Sequence, residues 1–377
     1  MILLCTMGRY VLKMRKIIKL LSNEISLRPF VLLFIITLIG CSGSNAMPDD
    51  NEPPEPEPIK MDYSYLPLGN GTTTPYMQGT FIDFWGKGNW SAASWDLHMK
   101  QMKETGIKTL MLQFTAYGDN VFFDSKNSYS TNIYPNALRD LLDAAQNNNI
   151  GVYVGLYFDD EYWDNATNAI VLKTHADKSK DLANEIWTKY KSKTSLKGWY
   201  ITHEPAPYYY QTLGALNILK NNLVNPIANY CRNLSGKPVS MSAFFNEGLT
   251  PISPFKTFMS GLARCELDLL ILQDGIGVHH ASLDNIEAYY KAANESLYVD
   301  NSFEGAFWAD IETFIETPKG SSKFLPESFN VVKEKLIIVD SYVSFIVTFQ
   351  YHSDMNPFGP NGAEAKTLRD DYLNYLN

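Results

Sequence analysis

Eight short segments of the 377-residue chain gather acids, amides and aromatics. They are Asp83-Phe84-Trp85, Gln113-Phe114-Thr115, Tyr157-Phe158-Asp159-Asp160-Glu161, His203-Glu204-Pro205, Phe244-Phe245-Asn246-Glu247, Gln273-Asp274-Gly275, Trp308-Ala309-Asp310-Ile311-Glu312 and Gln350-Tyr351-His352. None contains Lys or Arg. Carboxyls and amides bond hydroxyl groups, and indole or phenol rings stack on the C–H faces of sugars, so this set suits a neutral polyol and repels a phosphorylated one. Glu204 and Glu312 weigh most. Of two opposed carboxyls, one stays protonated to donate to a leaving oxygen, and the other stays ionised to attack an anomeric carbon or activate water. Burial and mutual repulsion raise carboxyl pKa values, which lets one pair hold both states at neutral pH.

What must position these segments is visible just before each of them. Near-continuous apolar runs occupy residues 79–85, 109–115, 151–157, 198–202, 239–245, 267–273, 305–311 and 343–350, the pattern of strands covered on both faces. Amphipathic helical patterns follow at 94–104, 137–146, 178–190, 213–233, 254–263, 284–293, 326–338 and 363–376. Eight β-then-α units over about 300 residues predict a closed (β/α)8 TIM barrel of the α/β class. An open doubly wound sheet would also alternate β and α. No G-x-G-x-x-G or G-x-x-x-x-G-K follows any run, and Gly275-Ile276-Gly277 lacks a third glycine. In a barrel the polar segments all lie at one mouth, with strands four and seven across it from each other. The expected substrate contacts there are Asp83, Trp85, Gln113, Asp159, His203, Asn246, Gln273, Trp308, Asp310, Tyr351 and His352. Tyr208, in the Tyr208-Tyr209-Tyr210 run, is either a sugar platform or a packed loop residue.

The remainder of the chain reads as an address. Six basic residues, Arg9 to Arg28, precede an apolar run over 29–40, too short to span a bilayer and typical of a secretory signal. It ends Leu38-Ile39-Gly40-Cys41-Ser42, which resembles the bacterial lipoprotein signal, with Cys41 as the lipidated residue. The expected division is therefore a signal peptide over 1–40, a tether over 41–75 and one barrel over 76–377. The tether is acidic and rich in Pro, as in Asp49-Asp50-Asn51-Glu52-Pro53-Pro54-Glu55-Pro56-Glu57-Pro58, and cannot build a core. Such a protein is exported and held at an outer membrane or cell surface by its lipid anchor. The chain carries 32 Lys plus Arg against 41 Asp plus Glu; without the first forty residues the balance is 26 against 40, or −14. Nucleic acid is excluded as a partner by that charge and by the lack of a basic stripe.

Two resemblances extend this reading. The Glu-bearing ends of strands four and seven resemble the clan of retaining glycoside hydrolases built on (β/α)8 barrels. Carried over by position, that resemblance implies Glu204 as acid/base and Glu312 as nucleophile. The clan usually has Asn before the strand-four Glu; here it is His203, able either to grip a sugar hydroxyl or to tune Glu204. Over the whole head, the segments Gly79-Thr80-Phe81-Ile82, Met102-Lys103-Glu104-Thr105-Gly106-Ile107, Gly198-Trp199-Tyr200-Ile201-Thr202-His203-Glu204 and Leu272-Gln273-Asp274-Gly275-Ile276-Gly277 are similar to a bacterial lipoprotein family of glycoside-hydrolase-like barrels, catalogued as a domain of unknown function. The Gln-Asp-Gly segment, its most distinctive mark, makes Asp274 a third candidate acid, either a substrate ligand or the partner of Glu204.

Rival chemistries find less support. Six His without a His-x-His or H-E-x-x-H pattern give no expectation of a catalytic metal, and no cofactor motif occurs. A G-x-S-x-G elbow is absent. Cys231 and Cys265 are expected as free buried thiols. The expected partner is a polysaccharide or oligosaccharide, as substrate of a glycosidase or as ligand of a non-catalytic surface barrel. A binding-only barrel would leave the acids splayed or paired with Arg, and geometry separates the two.

Overall fold

The eight apolar runs become eight strands: β1 Gly79–Ile82, β2 Thr109–Leu112, β3 Gly151–Gly155, β4 Leu196–Ile201, β5 Val239–Ala243, β6 Leu269–Gln273, β7 Ala306–Glu312 and β8 Phe345–Phe349. In the computed structural model, which describes residues 74–127 and 130–377, they pair in parallel with their chain neighbours. The ring closes where Gly79 of β1 pairs with Val347 of β8. This is the (β/α)8 TIM barrel that the sequence predicts. Cys41, the signal segment and most of the tether lie outside the described residues.

Each strand is followed by a helix whose limits the sequence signals. The helices are α1 Ala92–Glu104, α2 Ala137–Asn147, α3 Ala169–Tyr190, α4 over 213–235, α5 Ile252–Leu262, α6 Leu283–Asn294, α7 Phe329–Asp340 and α8 Gly362–Leu376. Ser91, Asn168 and Thr212 cap α1, α3 and α4 by accepting bonds from first-turn N–H groups. α4 passes through a π-turn at Lys220–Val224 just before Pro226, which has no N–H to return to the carbonyl four residues back. Cys231 and Cys265 are free and buried. Among the described residues, no helix is long and apolar enough to cross a membrane.

Strand alternation divides the core in two. Outward residues such as Leu110, Val152, Trp199, Ile201, Leu270 and Leu272 join the layer between strands and helices. Inward residues Phe81, Met111, Tyr153, Tyr200, Ile271, Trp308, Phe345 and Val347 fill the barrel itself. Trp308, expected at the mouth, is instead fully buried in this interior layer, its ring tilted against Phe345 at 4.2 Å and edge-on to Tyr153 at 5.8 Å. It sits on the correct face of β7, too deep to meet a ligand.

Two insertions wall the mouth. After β2, short strands at Ala116–Tyr117, Asn120–Val121 and Thr131–Asn132 form a small sheet with Tyr157–Phe158. After β7, Phe314–Glu316 pairs antiparallel with Phe324–Pro326.

Candidate active site

Continuing each inward alternation beyond the strand ends gives the site. Above Phe81 stands Asp83; above Met111, Gln113; above Tyr200, Thr202 and Glu204; above Ile271, Gln273; above Trp308, Asp310 and Glu312; above Val347, Phe349. All of these line one cavity of about 620 Å³ at the C-terminal mouth, together with Trp85 and Asn246. The volume falls in the range of small-molecule sites.

One wall is aromatic. Trp85 packs on Phe114 at 6.2 Å and Tyr117 at 5.8 Å, and Tyr117 on Phe158 at 5.7 Å. Asp83 anchors this wall: it accepts the Trp85 backbone N–H at 2.7 Å and pairs with the buried Lys87 at 3.1 Å. Across the mouth the β7 insertion contributes Phe314, Glu316, Lys319 and Phe324. Lys319 escaped the sequence reading because it lies in a loop seven residues beyond the strand end. It supplies a lone cation to an otherwise acidic lining, and its charge, after burial, brings His280 down to about 4.

The carboxyls carry the electrostatic signature. Burial pushes Glu204 up to about 7, opposed by a hydrogen bond from Gln273. Glu312 is raised by burial and then by Asp274, against Lys335 and the Val278 and Gly277 N–H groups. Asp310 stands well above the ordinary carboxylate range, through burial and then the charges of Glu312, Asp274 and Glu204. Asp310 thus feels the other three acids, and Glu312 and Asp274 titrate together. Among the described residues no ion pair joins an Arg to Glu204 or Glu312.

Several expected contacts stand away from the lining, for identifiable reasons. Asp274 and His203 fall on the opposite alternation from Gln273 and Glu204. Asp274 is fully buried behind the wall, paired with Lys335 at 3.2 Å. His203 is buried against Tyr162 and Phe158 and shares a 2.8 Å hydrogen bond with His175, which in turn bonds the half-exposed Glu161 at 2.9 Å. It therefore presents no group to a sugar hydroxyl. Burial holds both His203 and His175 below the usual imidazole range. Asp159 turns back onto the start of the short helix after β3, accepting the Glu161 N–H at 2.8 Å. Tyr208 packs behind the lining residue Phe244, with ring centroids 5.9 Å apart. β8 gives way to a helical turn at Tyr351–Asp354, which buries Tyr351 against His98 and lays His352 on Trp90. The residue that reaches the cavity there is Gln350.

The same alternation would have found the lining residues that sequence reading passed over, namely Tyr200, Thr202, Phe244 and Phe349. Among the described residues no group of three or more His, Cys, Asp or Glu side chains is placed to hold a metal ion.

The eight-stranded parallel barrel shares its fold with solved glycoside hydrolases. It overlays an α-L-fucosidase, so described provisionally, from Bacteroides thetaiotaomicron VPI-5482 with a TM-score of 0.68 at 22% identity, covering 85% of this chain and 98% of that one. An endo-1,4-β-mannanase from Rhizomucor miehei overlays at 0.53 and 14% identity, over 80% and 95%. At those identities the likeness speaks for the fold alone. Residues 77–363 match the family described as "Domain of unknown function (DUF4434)", and the chain belongs to that family. Over 203 residues it is also 26% identical to the uncharacterized protein YbcH of Escherichia coli (strain K12), spanning 53% of this chain and 64% of that protein.

Proposed function

We propose that the protein hydrolyses a glycosidic bond in a neutral polysaccharide or oligosaccharide. Glu204 gives the proton to the leaving oxygen, and Glu312 in its ionised form acts on the anomeric carbon from the opposite strand. The observation that carries this reading is the shared lining of one aromatic-walled cavity by half-buried Glu204 and buried Glu312, neither bound to Arg. Glu204 has lost solvent without gaining a cation, the setting of a group that keeps its proton. Glu312 accepts the Val278 N–H at 3.2 Å, a bond that favours its anion and works against the burial and the Asp274 charge that together push it up to about 8. Aromatic rings and acids suit neutral pyranose rings and disfavour polyanionic chains. The test is a glycan panel assayed with the wild type: cleavage of a neutral glycan supports the reading, whereas binding without turnover supports a non-catalytic glycan receptor.

The pH dependence carries a definite sign. A general acid works only while protonated and its partner only while ionised, so with Glu204 raised to about 7 and Glu312 to about 8, kcat/KM is highest between those values and falls about tenfold per pH unit on either side. The Gln273 hydrogen bond stabilises the Glu204 anion; Gln273→Leu removes it, raises the Glu204 pKa and moves the lower limb of the profile upward. An unmoved limb in the variant would assign it to another group.

Export and anchoring belong to the same proposal. With Cys41 lipidated, cells fed an alkyne-bearing fatty acid yield labelled protein in the membrane fraction, and Cys41→Ala yields neither label nor membrane association. Labelling that persists in Cys41→Ala would refute the anchor site.

A further inference from the structure

The segment Gln273-Asp274-Gly275-Ile276-Gly277 stands out in the sequence, yet only Gln273 and Gly275 of it line the cavity. Asp274 and Gly277 converge on Glu312. Asp274 Oδ2 accepts the Glu312 backbone N–H at 3.1 Å, while its Oδ1 accepts the Ile276 N–H at 2.8 Å. Gly275 turns the chain in the left-handed region, with φ +68°. A Cβ at Gly277 would stand 2.9 Å from Glu312 Oε2 and 2.3 Å from the Phe314 carbonyl oxygen, so only glycine leaves room for the carboxyl. The next residue, Val278, donates its N–H to that same Oε2.

The assembly is completed from α7. Lys335, fully buried, donates to the Glu312 carbonyl oxygen at 2.7 Å and pairs with Asp274 at 3.2 Å. One buried ion pair thus grips both the N–H and the C=O of the peptide units flanking Glu312. An ion pair taken fully out of water is costly and adds little to stability over an apolar pair of equal size. Its placement here points to a task other than stability.

We propose that Lys335, Asp274 and Gly277 form a positioning assembly for Glu312: the ion pair fixes the main chain that carries it, the glycine admits its carboxyl to the Val278 N–H, and the two buried charges set its ionisation from opposite sides. The inference rests on the reading of Glu312 as the ionised catalytic carboxyl, and it recasts Asp274 as a residue acting through Glu312. None of the three is a catalytic residue.

Opposite signs make the test. Lys335→Met removes the cation and raises the Glu312 pKa; Asp274→Asn keeps the shape and one of the two acceptor oxygens but removes the anion, and lowers it. Each shift is expected to reach about one unit or more, tenfold in the ionisation constant. The readout is the carboxyl signal of Glu312 in full-length protein labelled with 13C-glutamate, assigned by its loss in Glu312→Gln, so no substrate is required. Where a glycan is cleaved, the alkaline limb of the kcat/KM profile, set by the higher-titrating Glu312, follows the same two directions. If Lys335→Met does not fold, Asp274→Asn alone decides by its downward shift. Titration midpoints that stay within a few tenths of a unit of wild type, or that move in one direction in both variants, would overturn the proposal. Opposed shifts in a protein that cleaves no glycan would uphold the assembly and remove the glycosidase reading instead.

Discussion

Glu204→Gln and Glu312→Gln are each expected to abolish hydrolysis of a natural glycan while the protein stays folded. Gln matches Glu in volume and keeps hydrogen-bonding capacity, so neither change opens a void. Each also removes an ionisable group from a buried site. Loss of Glu204 withdraws general-acid assistance, about 10²–10⁴-fold in rate, and loss of Glu312 is expected to cost at least as much. A leaving group that needs no proton separates the roles. With a nitrophenyl glycoside of the cleaved sugar, Glu204→Gln recovers a large share of the rate of its bond-breaking step, whereas Glu312→Gln stays inactive. Far-ultraviolet circular dichroism establishes that both variants are folded. Near-wild-type turnover by either variant would take that carboxyl out of the mechanism, and recovery by the Glu312 variant alone would exchange the two roles.

The second large effect concerns stability. Trp308 fills the barrel beneath Asp310, ringed by Phe345 and Tyr153. Trp308→Ala deletes an entire fused ring from a closed interior that cannot collapse around the gap without bending strands, so a loss of about 3–5 kcal/mol is expected. Urea unfolding reads this as a lower midpoint at an unchanged slope. Trp308→Phe retains most of the contact and loses less. An unchanged midpoint combined with lost glycan binding would return the indole to the ligand site and contradict its placement in the interior.

That Trp308 lies in the barrel while Asp310 and Glu312 line the cavity shows how far the sequence could be read. All eight strands and all eight helices were legible, because a parallel barrel buries both faces of each strand and leaves long apolar runs between amphipathic helices. Depth along a strand was not legible, since Trp308 shares its face with the two acids and differs only by one or two steps of rise. Orientation was legible but went unused. Counting by twos from Tyr200 reaches Thr202 and Glu204 and skips His203; counting from Ile271 reaches Gln273 and skips Asp274. Where the chain leaves the strands, alternation stops informing. Asp159 bonds back to the first N–H of a helical turn and Tyr351 packs inward from another. Lys319 arrives from a hairpin whose course depends on Phe314 and Phe324 meeting edge to face at 5.2 Å. No local pattern in the sequence announces these long-range choices.

The alternation that seats Asp310 and Glu312 also restricts how the gene for this barrel can change. Deleting a single codon within β7 would slide the remaining residues by one, turning both acids toward the surrounding helices and Ile311 into the mouth. The ring of strands therefore tolerates point replacement far better than frame-preserving loss or gain of one residue. The insertions after β2 and β7 obey no such parity and are free to lengthen, shorten or exchange rings. Diversification of what this scaffold accepts should accordingly concentrate in those two flaps, with the acids beneath them inherited unchanged.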